Sequence, residues 1–157
     1  MAEQSDAVTL SNGIVLRPVH GPDKLAACFP VISLLRPRLK NVQEWIDRAS
    51  EMATEGYRVL AAWQGDRVVA LAGYRVTENL IHDRFLYVDD LVTAEDARGK
   101  GLGAALLKEL STIGVDEYCG RLVLDTAATN ENARRFYKRE GLNDAVIGFV
   151  KQLERAA

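Results

Sequence analysis

The sequence predicts an α/β fold, and three observations carry that prediction. Segments of strand character at 57–64, 67–76 and 84–93 alternate with segments of helical period at 41–55 and 101–116. The apolar segment from Phe85 to Val92 leads into the glycine-rich run Arg98-Gly99-Lys100-Gly101-Leu102-Gly103-Ala104, which opens an amphipathic stretch ending near Asp116. The chain has 157 residues, 48% of them apolar and 27% charged, which suits one globular domain with a substantial core.

The elements follow in order as strand 13–19, helices 22–35 and 41–55, strands 57–64, 67–76 and 84–93, helix 101–116, strand 121–126, helix 130–139 and a terminal strand within 145–153. Pro30 falls inside the first helical pattern and is expected to kink or split it, because proline removes a donor and clashes with the preceding turn; Pro37 then closes it. The second helix carries Val42, Trp45, Ile46, Ala49, Met52 and Ala53 at the three-and-four spacing of one buried face, which reads as core. Gly65-Asp66 between two apolar runs predicts a tight hairpin. Leu102, Leu106, Leu110 and Ile113 repeat the buried-face pattern after the glycine run. There is no repeat, low-complexity tract or linker, so a single domain over 1–157 is expected, with 1–10 flexible.

Several function classes are disfavoured at once. No apolar run approaches the roughly 18 residues of a membrane span, and the acidic, polar start Met1-Ala2-Glu3-Gln4-Ser5-Asp6 is unlike a signal peptide, so a cytoplasmic location is expected. Cys28 and Cys119 form no C-x-x-C pair, and His20 and His82 are the only histidines, so no metal is expected. The cysteines read as small buried hydrophobes. No serine sits in a G-x-S-x-G elbow. A net charge of −2 does not favour a dedicated nucleic-acid binder.

The glycine run has the character of a phosphate seat. A strand that turns through glycines into a helix leaves backbone N–H groups unpaired at the helix start, where the helix dipole favours negative charge. Glycine lets a diphosphate approach the backbone, and Arg98 and Lys100 add positive charge. The P-loop pattern fails because Lys100 is followed by Gly101 rather than Ser or Thr. A Rossmann fingerprint is a real rival, since Gly99-x-Gly101-x-x-Ala104 fits it and Asp125 follows the strand-like Leu122-Val123-Leu124. Against that rival, the polar connection Ala94-Glu95-Asp96-Ala97-Arg98 separates strand from glycines, and no second mononucleotide half follows.

Read as Arg98-x-x-Gly101-x-Gly103, the same residues resemble the GNAT superfamily of acetyl-CoA-dependent N-acetyltransferases, whose signature is a strand, a short polar loop, R/Q-x-x-G-x-G/A and a helix. A second block, Asn130-Glu131-Asn132-Ala133-Arg134-Arg135-Phe136-Tyr137-Lys138-Arg139-Glu140-Gly141-Leu142, looks like that family's N-x-x-A-x-x-F-Y-x-x-x-G-F element, with Leu142 a mild departure. The resemblance covers nearly the whole chain and implies a mixed central sheet of six to seven strands flanked by about four helices.

It also implies a chemistry. The diphosphate of acetyl-CoA would lie on the amides of Gly99, Lys100, Gly101, Leu102, Gly103 and Ala104, assisted by Arg98 and Lys100. The pantetheine arm would pair with the backbone of Leu91, Val92 and Thr93, and an N–H at or near Val92 would steady the thioester oxyanion. Asn130, Ala133, Phe136 and Tyr137 would contact the cofactor. Tyr137 would be the general acid to the departing thiolate, since a phenol of pKa about 10 can donate to a thiolate whose thiol titrates about one to two units lower. Asn130 also reads as a helix N-cap. The basic run Arg134, Arg135, Lys138 and Arg139 reads as a solvated face or as a contact to the 3′-phosphate.

The attacking amine must lose a proton, and Asp89 and Asp90 on the thioester strand are the candidate bases, with Asp90 preferred. Adjacent strand residues point to opposite faces, so at most one of them faces the acceptor. The resemblance puts another acceptor wall at Leu34-Leu35-Arg36-Pro37-Arg38-Leu39, while Glu78, Asp83, Asp89 and Asp90 would make an acidic approach suited to a cationic amine. The stretch after Gly141 is short for the terminal hairpin of such proteins, so the last strand stands alone or is completed by a second subunit in a homodimer. A non-catalytic acyl-CoA-binding or regulatory module of the same fold is the alternative reading.

Overall fold

The computed structural model describes residues 7–155, which form two compact units, one ending at Leu124 and the other beginning at Asp125. The first unit runs β1 (Val8–Thr9), β2 (Val15–Pro18), α1 (Pro22–Leu35), α2 (Val42–Ala53), β3 (Arg58–Gln64), β4 (Arg67–Asn79), β5 (Asp83–Thr93), a 3₁₀ turn at Glu95–Ala97, α3 (Leu102–Asp116) and β6 (Arg121–Leu124). The second carries α4 (Glu131–Arg139). Among the described residues no helix is long and apolar enough to cross a membrane.

The strands form one six-stranded sheet in sequence order. Neighbours from β1 to β5 are antiparallel, and β6 joins β5 in parallel. The two-residue turn Gly65-Asp66 closes β3 onto β4, with Gln64 opposite Arg67 and Gly65 at φ 63°, as the Gly-Asp pair predicts. This meander removes the Rossmann rival, because a doubly wound dinucleotide fold needs a mostly parallel sheet.

Every residue from Val68 to Tyr74 on β4 is buried, so both faces of this central strand are covered. Helices α1 and α3 both pack on β4 and β5. Leu25, Cys28, Val31 and Ile32 of α1 and Leu102, Leu106 and Leu110 of α3 fill the core. Trp45 of α2 is buried and donates its indole N–H to the Leu25 carbonyl at 2.7 Å, fixing α2 against α1.

Three expectations are corrected. Pro30 does not split α1, which runs unbroken through it. The buried residues Cys28, Val31 and Ile32 flank the proline, and burying such side chains at about 1.5–3 kcal/mol each outweighs a missing backbone bond of about 3 kcal/mol. Residues 145–153 form no strand, since an extended segment needs a paired neighbour to satisfy its backbone groups; Ile147, Phe149 and Val150 are exposed there. Of the stretch 1–10, residues 1–6 lie outside the described residues, whereas Val8–Thr9 pairs with β2.

Candidate active site

The predicted phosphate turn is built as the glycines require. β5 ends at Thr93, the Ala94 N–H donates to the Val69 carbonyl at 2.8 Å, and the 3₁₀ turn carries the chain to Arg98. Gly99 and Gly101 take φ of 81° and 74°, conformations that cost a residue with a Cβ about 1–2 kcal/mol. A Cβ on either would meet nothing within 4 Å, so glycine is needed here for backbone conformation and not for packing. Gly101 is the N-cap of α3 without a side-chain cap, and no acidic residue lies in the first turn. The N–H groups of Leu102, Gly103 and Ala104 have no partner within the helix, and its positive end is uncompensated. Arg98 and Lys100 are exposed beside it, while buried Leu102 anchors the helix start.

A second feature leads into that turn. β6 pairs with β5 only from Phe85 to Val88, opposite Arg121 to Leu124. Among the described residues, Leu91, Val92 and Thr93 therefore pair with Ala72, Leu71 and Ala70 of β4 on one side and carry no strand on the other. An open backbone edge thus runs directly toward the glycine turn. Both features fit acyl-coenzyme A, which offers amides to the edge and a diphosphate to the helix start.

β5 is bulged just before that edge. Gly73 faces Asp90 and Tyr74 faces Val88, which leaves Asp89 as the extra residue. Asp89 is held by Arg75, whose Nε and Nη2 donate to its carboxylate at 3.1 and 2.9 Å. Burial nevertheless pushes the Asp89 carboxyl above its usual range, against the opposing pull of Arg75. Asp90 is buried, accepting from Arg36 Nε on Oδ1 at 2.9 Å and from the Tyr57 hydroxyl on Oδ2 at 2.7 Å. Burial, and then the Asp90 charge, raise the Tyr57 phenol far above its ordinary value.

Asp89 and Asp90 are thus both ion-paired within the fold, and each oxygen of Asp90 already has a donor. The acidic approach expected of Glu78, Asp83, Asp89 and Asp90 is half neutralised. Tyr57, Gly73 and Arg75 are not singled out as site residues by the sequence, and Arg36 enters there only as part of the expected acceptor wall. One signal was available: an isolated glycine within a strand marks a bulge or a close approach, and Gly73 is such a residue.

In the second unit, the Asn130 side chain caps α4 by accepting from the Ala133 N–H at 3.0 Å, the N-cap role read from the sequence. Phe136 and Tyr137 are half-buried with ring centroids 5.3 Å apart. Burial raises the Tyr137 phenol above its ordinary 10. The basic run has acidic neighbours, with Arg134 and Lys138 on Asp144 at 3.5 and 3.3 Å and Arg139 on Glu140 at 3.8 Å. Leu91, Val92, Thr93 and the turn from Arg98 to Ala104 thus lie on one stretch of the first unit, and Asn130, Ala133, Phe136 and Tyr137 on one helix of the second. Among the described residues no group of three or more His, Cys, Asp or Glu side chains is placed to hold a metal ion.

Comparison with known proteins shows the family and the fold. Residues 24–142 match the model of the acetyltransferase (GNAT) family. The uncharacterized N-acetyltransferase YhdJ of Bacillus subtilis is 26% identical over 125 residues, covering 79% of this chain and 87% of that protein. A thialysine N-epsilon-acetyltransferase of Bos taurus is 28% identical over 81 residues, covering 52% of this chain and 48% of that enzyme, so the alignment spans about half of the relative. In structure, a transcriptional regulator from Bacillus halodurans superposes with a TM-score of 0.78 at 19% identity, covering 89% of this chain and 99% of that one, and shares the fold.

Proposed function

The chain belongs to the acetyltransferase (GNAT) family and is an N-acetyltransferase, and from that premise we propose that it moves an acetyl group from acetyl-CoA to a primary amine by direct attack in a ternary complex. The observation that carries this reading is the open edge of β5 at Leu91, Val92 and Thr93 running into the uncapped, positive start of α3. The edge holds the pantetheine amides. The turn from Arg98 to Ala104 holds the diphosphate through its main-chain N–H groups, with Arg98 and Lys100 beside it. A main-chain N–H beside Val92, on the open side of β5, steadies the thioester oxygen as it gains charge.

The amine nitrogen forms a bond to the thioester carbon, and the tetrahedral intermediate collapses by breaking the carbon–sulfur bond. Tyr137 donates its hydroxyl proton to the departing sulfur, and the proton lost by nitrogen returns to the phenolate through water. The support for Tyr137 is its place in the second motif block and its raised pKa, which keeps it a proton donor at neutral pH. Asp90 is assigned a holding role, since its oxygens serve Arg36 and Tyr57; the amine loses its proton to solvent. The thialysine relative supports an alkyl primary amine as acceptor. Thiol release from acetyl-CoA over a panel containing thialysine, lysine peptides and aminoglycosides tests the reading. Turnover with one class, abolished by omitting the amine, is expected; acetyl-CoA that does not bind refutes it.

The segment 143–155 supports a second element of this reading, pairing between two copies. Val146, Ile147, Phe149, Val150 and Leu153 are exposed there, and β6 has one strand neighbour among the described residues. Pairing of the segment with β6 of a second copy would cover both. Light scattering is expected to show a dimer, and a monomer at all concentrations refutes it.

A further inference from the structure

Arg36 ties two parts of the first unit that are 54 residues apart in sequence. It is the C-cap of α1, its N–H donating to the Ile32 carbonyl at 2.9 Å and its carbonyl accepting from the Leu39 N–H at 3.1 Å, so it sets the turn between α1 and α2. Its side chain reaches the β5 bulge. Nε lies 2.9 Å from Asp90 Oδ1, and Nη2 lies 2.8 Å from both that oxygen and the Asp89 carbonyl. The Asp89 carbonyl belongs to the bulge residue, and the guanidinium fork satisfies it together with the carboxylate.

The far side of the network is rigid. Tyr57 donates to the second Asp90 oxygen, and the absence of a Cβ on Gly73 makes room for that contact. Arg75 holds the Asp89 carboxylate on both oxygens. The only exposed member is Arg36, whose side chain is 50% accessible, while that of Asp90 is 10% accessible. The turn that Arg36 anchors therefore sits immediately before Leu91, Val92 and Thr93, where the thioester is proposed to lie. Under the acetyl-transfer reading, the turn would stand beside the segment at which an amine attacks.

We infer that Arg36 is a positioning residue for the acceptor: by bridging Asp90 and the Asp89 carbonyl it holds the α1–α2 turn, with exposed Leu34, Arg38 and Lys40, at a fixed distance from the thioester segment of β5. This rests on the acetyl-transfer reading given above. Arg36 touches no reacting atom; it acts through the bulge and the turn. The diphosphate turn lies beyond Thr93 and does not depend on it.

The test is steady-state kinetics with the best amine of the panel, together with calorimetric acetyl-CoA affinity, for wild type, Arg36→Ala, Arg36→Lys and Arg58→Ala. Arg36→Ala is expected to raise the acceptor KM at least tenfold and to lower kcat, with the acetyl-CoA Kd within twofold of wild type. Arg36→Lys keeps a charge for Asp90 without the fork and should fall between. Arg58→Ala removes an ion pair to Glu117 elsewhere on the sheet and should lower Tm with no change in acceptor KM. A purely structural Arg36 would reduce the active fraction and leave KM untouched, so an unchanged KM in both Arg36 variants overturns the inference. If Arg36→Ala does not fold, Arg36→Lys alone decides by the same criterion. Wild-type protein that binds no acetyl-CoA would instead overturn the acetyl-transfer reading, and this inference would fall with it.

Discussion

Tyr57 crosses β4 at Gly73. A Cβ on Gly73 would overlap Tyr57 Oη and Asp90 Oδ2 and would lie 2.7 Å from Tyr57 Cζ, so glycine is required there for space and not for an unusual backbone angle. The phenol reaches Asp90 through the gap this leaves, and Asp90 is the residue opposite Gly73 across the strands. Gly73→Ala is expected to destabilise the protein by about 1–3 kcal/mol, the range for overpacking a core. In thermal unfolding that is about 2–4 °C per kcal/mol. Adding Tyr57→Phe should recover little, because Cζ remains in the way; an unchanged Tm for Gly73→Ala would contradict the packing.

The glycines of the phosphate turn make a contrasting prediction. Gly101→Ala meets no neighbour but adopts φ of 74°, and Gly65→Ala in the β3–β4 hairpin suffers the same kind of strain at 63°. Both should lose about 1–2 kcal/mol of stability. Only Gly101→Ala should weaken acetyl-CoA binding, by roughly tenfold in calorimetry, because in the proposed reading only that turn meets the diphosphate. Equal affinities would remove the phosphate seat.

Tyr137→Phe should lower kcat by about 10² or more, the contribution of a positioned proton donor, at unchanged acetyl-CoA Kd. Burial raises the Tyr137 phenol above 10, so its protonated form persists through the neutral and mildly alkaline range. The wild-type kcat should therefore show no alkaline decline from this group below pH 10. A decline below that value that vanishes in Tyr137→Phe would contradict the assignment.

The two thiols should react differently. Cys28 is fully buried, its thiol is pushed up to about 12 by that burial, and its Sγ donates to the Lys24 carbonyl at 3.5 Å. Cys119 is half-buried. Maleimide at pH about 7.5 reacts through the thiolate. Native protein is expected to take one label, on Cys119, and denatured protein two; rapid native labelling of Cys28 would refute its burial.

Glu117 offers a check on stability against pH. Arg58 donates to both of its oxygens and holds its carboxyl below the usual 4.5. A carboxyl depressed on folding stabilises above its unfolded value and loses that contribution as pH falls through the folded one. The pair is partly exposed, so the contribution is about 0.5 kcal/mol. Glu117→Gln should therefore lower Tm slightly at pH 7, and the gap from wild type should close below pH 4.5. A gap that widens on acidification would reverse the sign.

Much of this protein was legible from one dimension. The period of Val42, Trp45, Ile46 and Ala49 marked α2, and Asn130 announced the cap of α4, because both signals are local and need no knowledge of distant partners. The glycines at 99 and 101 marked the tight turn before α3 for the same reason. Pro30 misled, because the side chains that hold α1 together across it are buried against strands far along the chain. The strand expected at 145–153 misled because an apolar segment does not by itself supply a pairing partner.

The sequence by itself determined the family resemblance, the order of most elements and the glycine turn before α3, since short-range backbone geometry and side-chain period specify them. Only the tertiary structure decided which donors Asp89 and Asp90 meet. Side by side on a strand they look like available bases, and nothing nearby in sequence says otherwise. Folding brings Arg75 onto them from β4, Tyr57 from the residue before β3 and Arg36 from a helix end, and a buried carboxylate takes its chemistry from the donors that reach it.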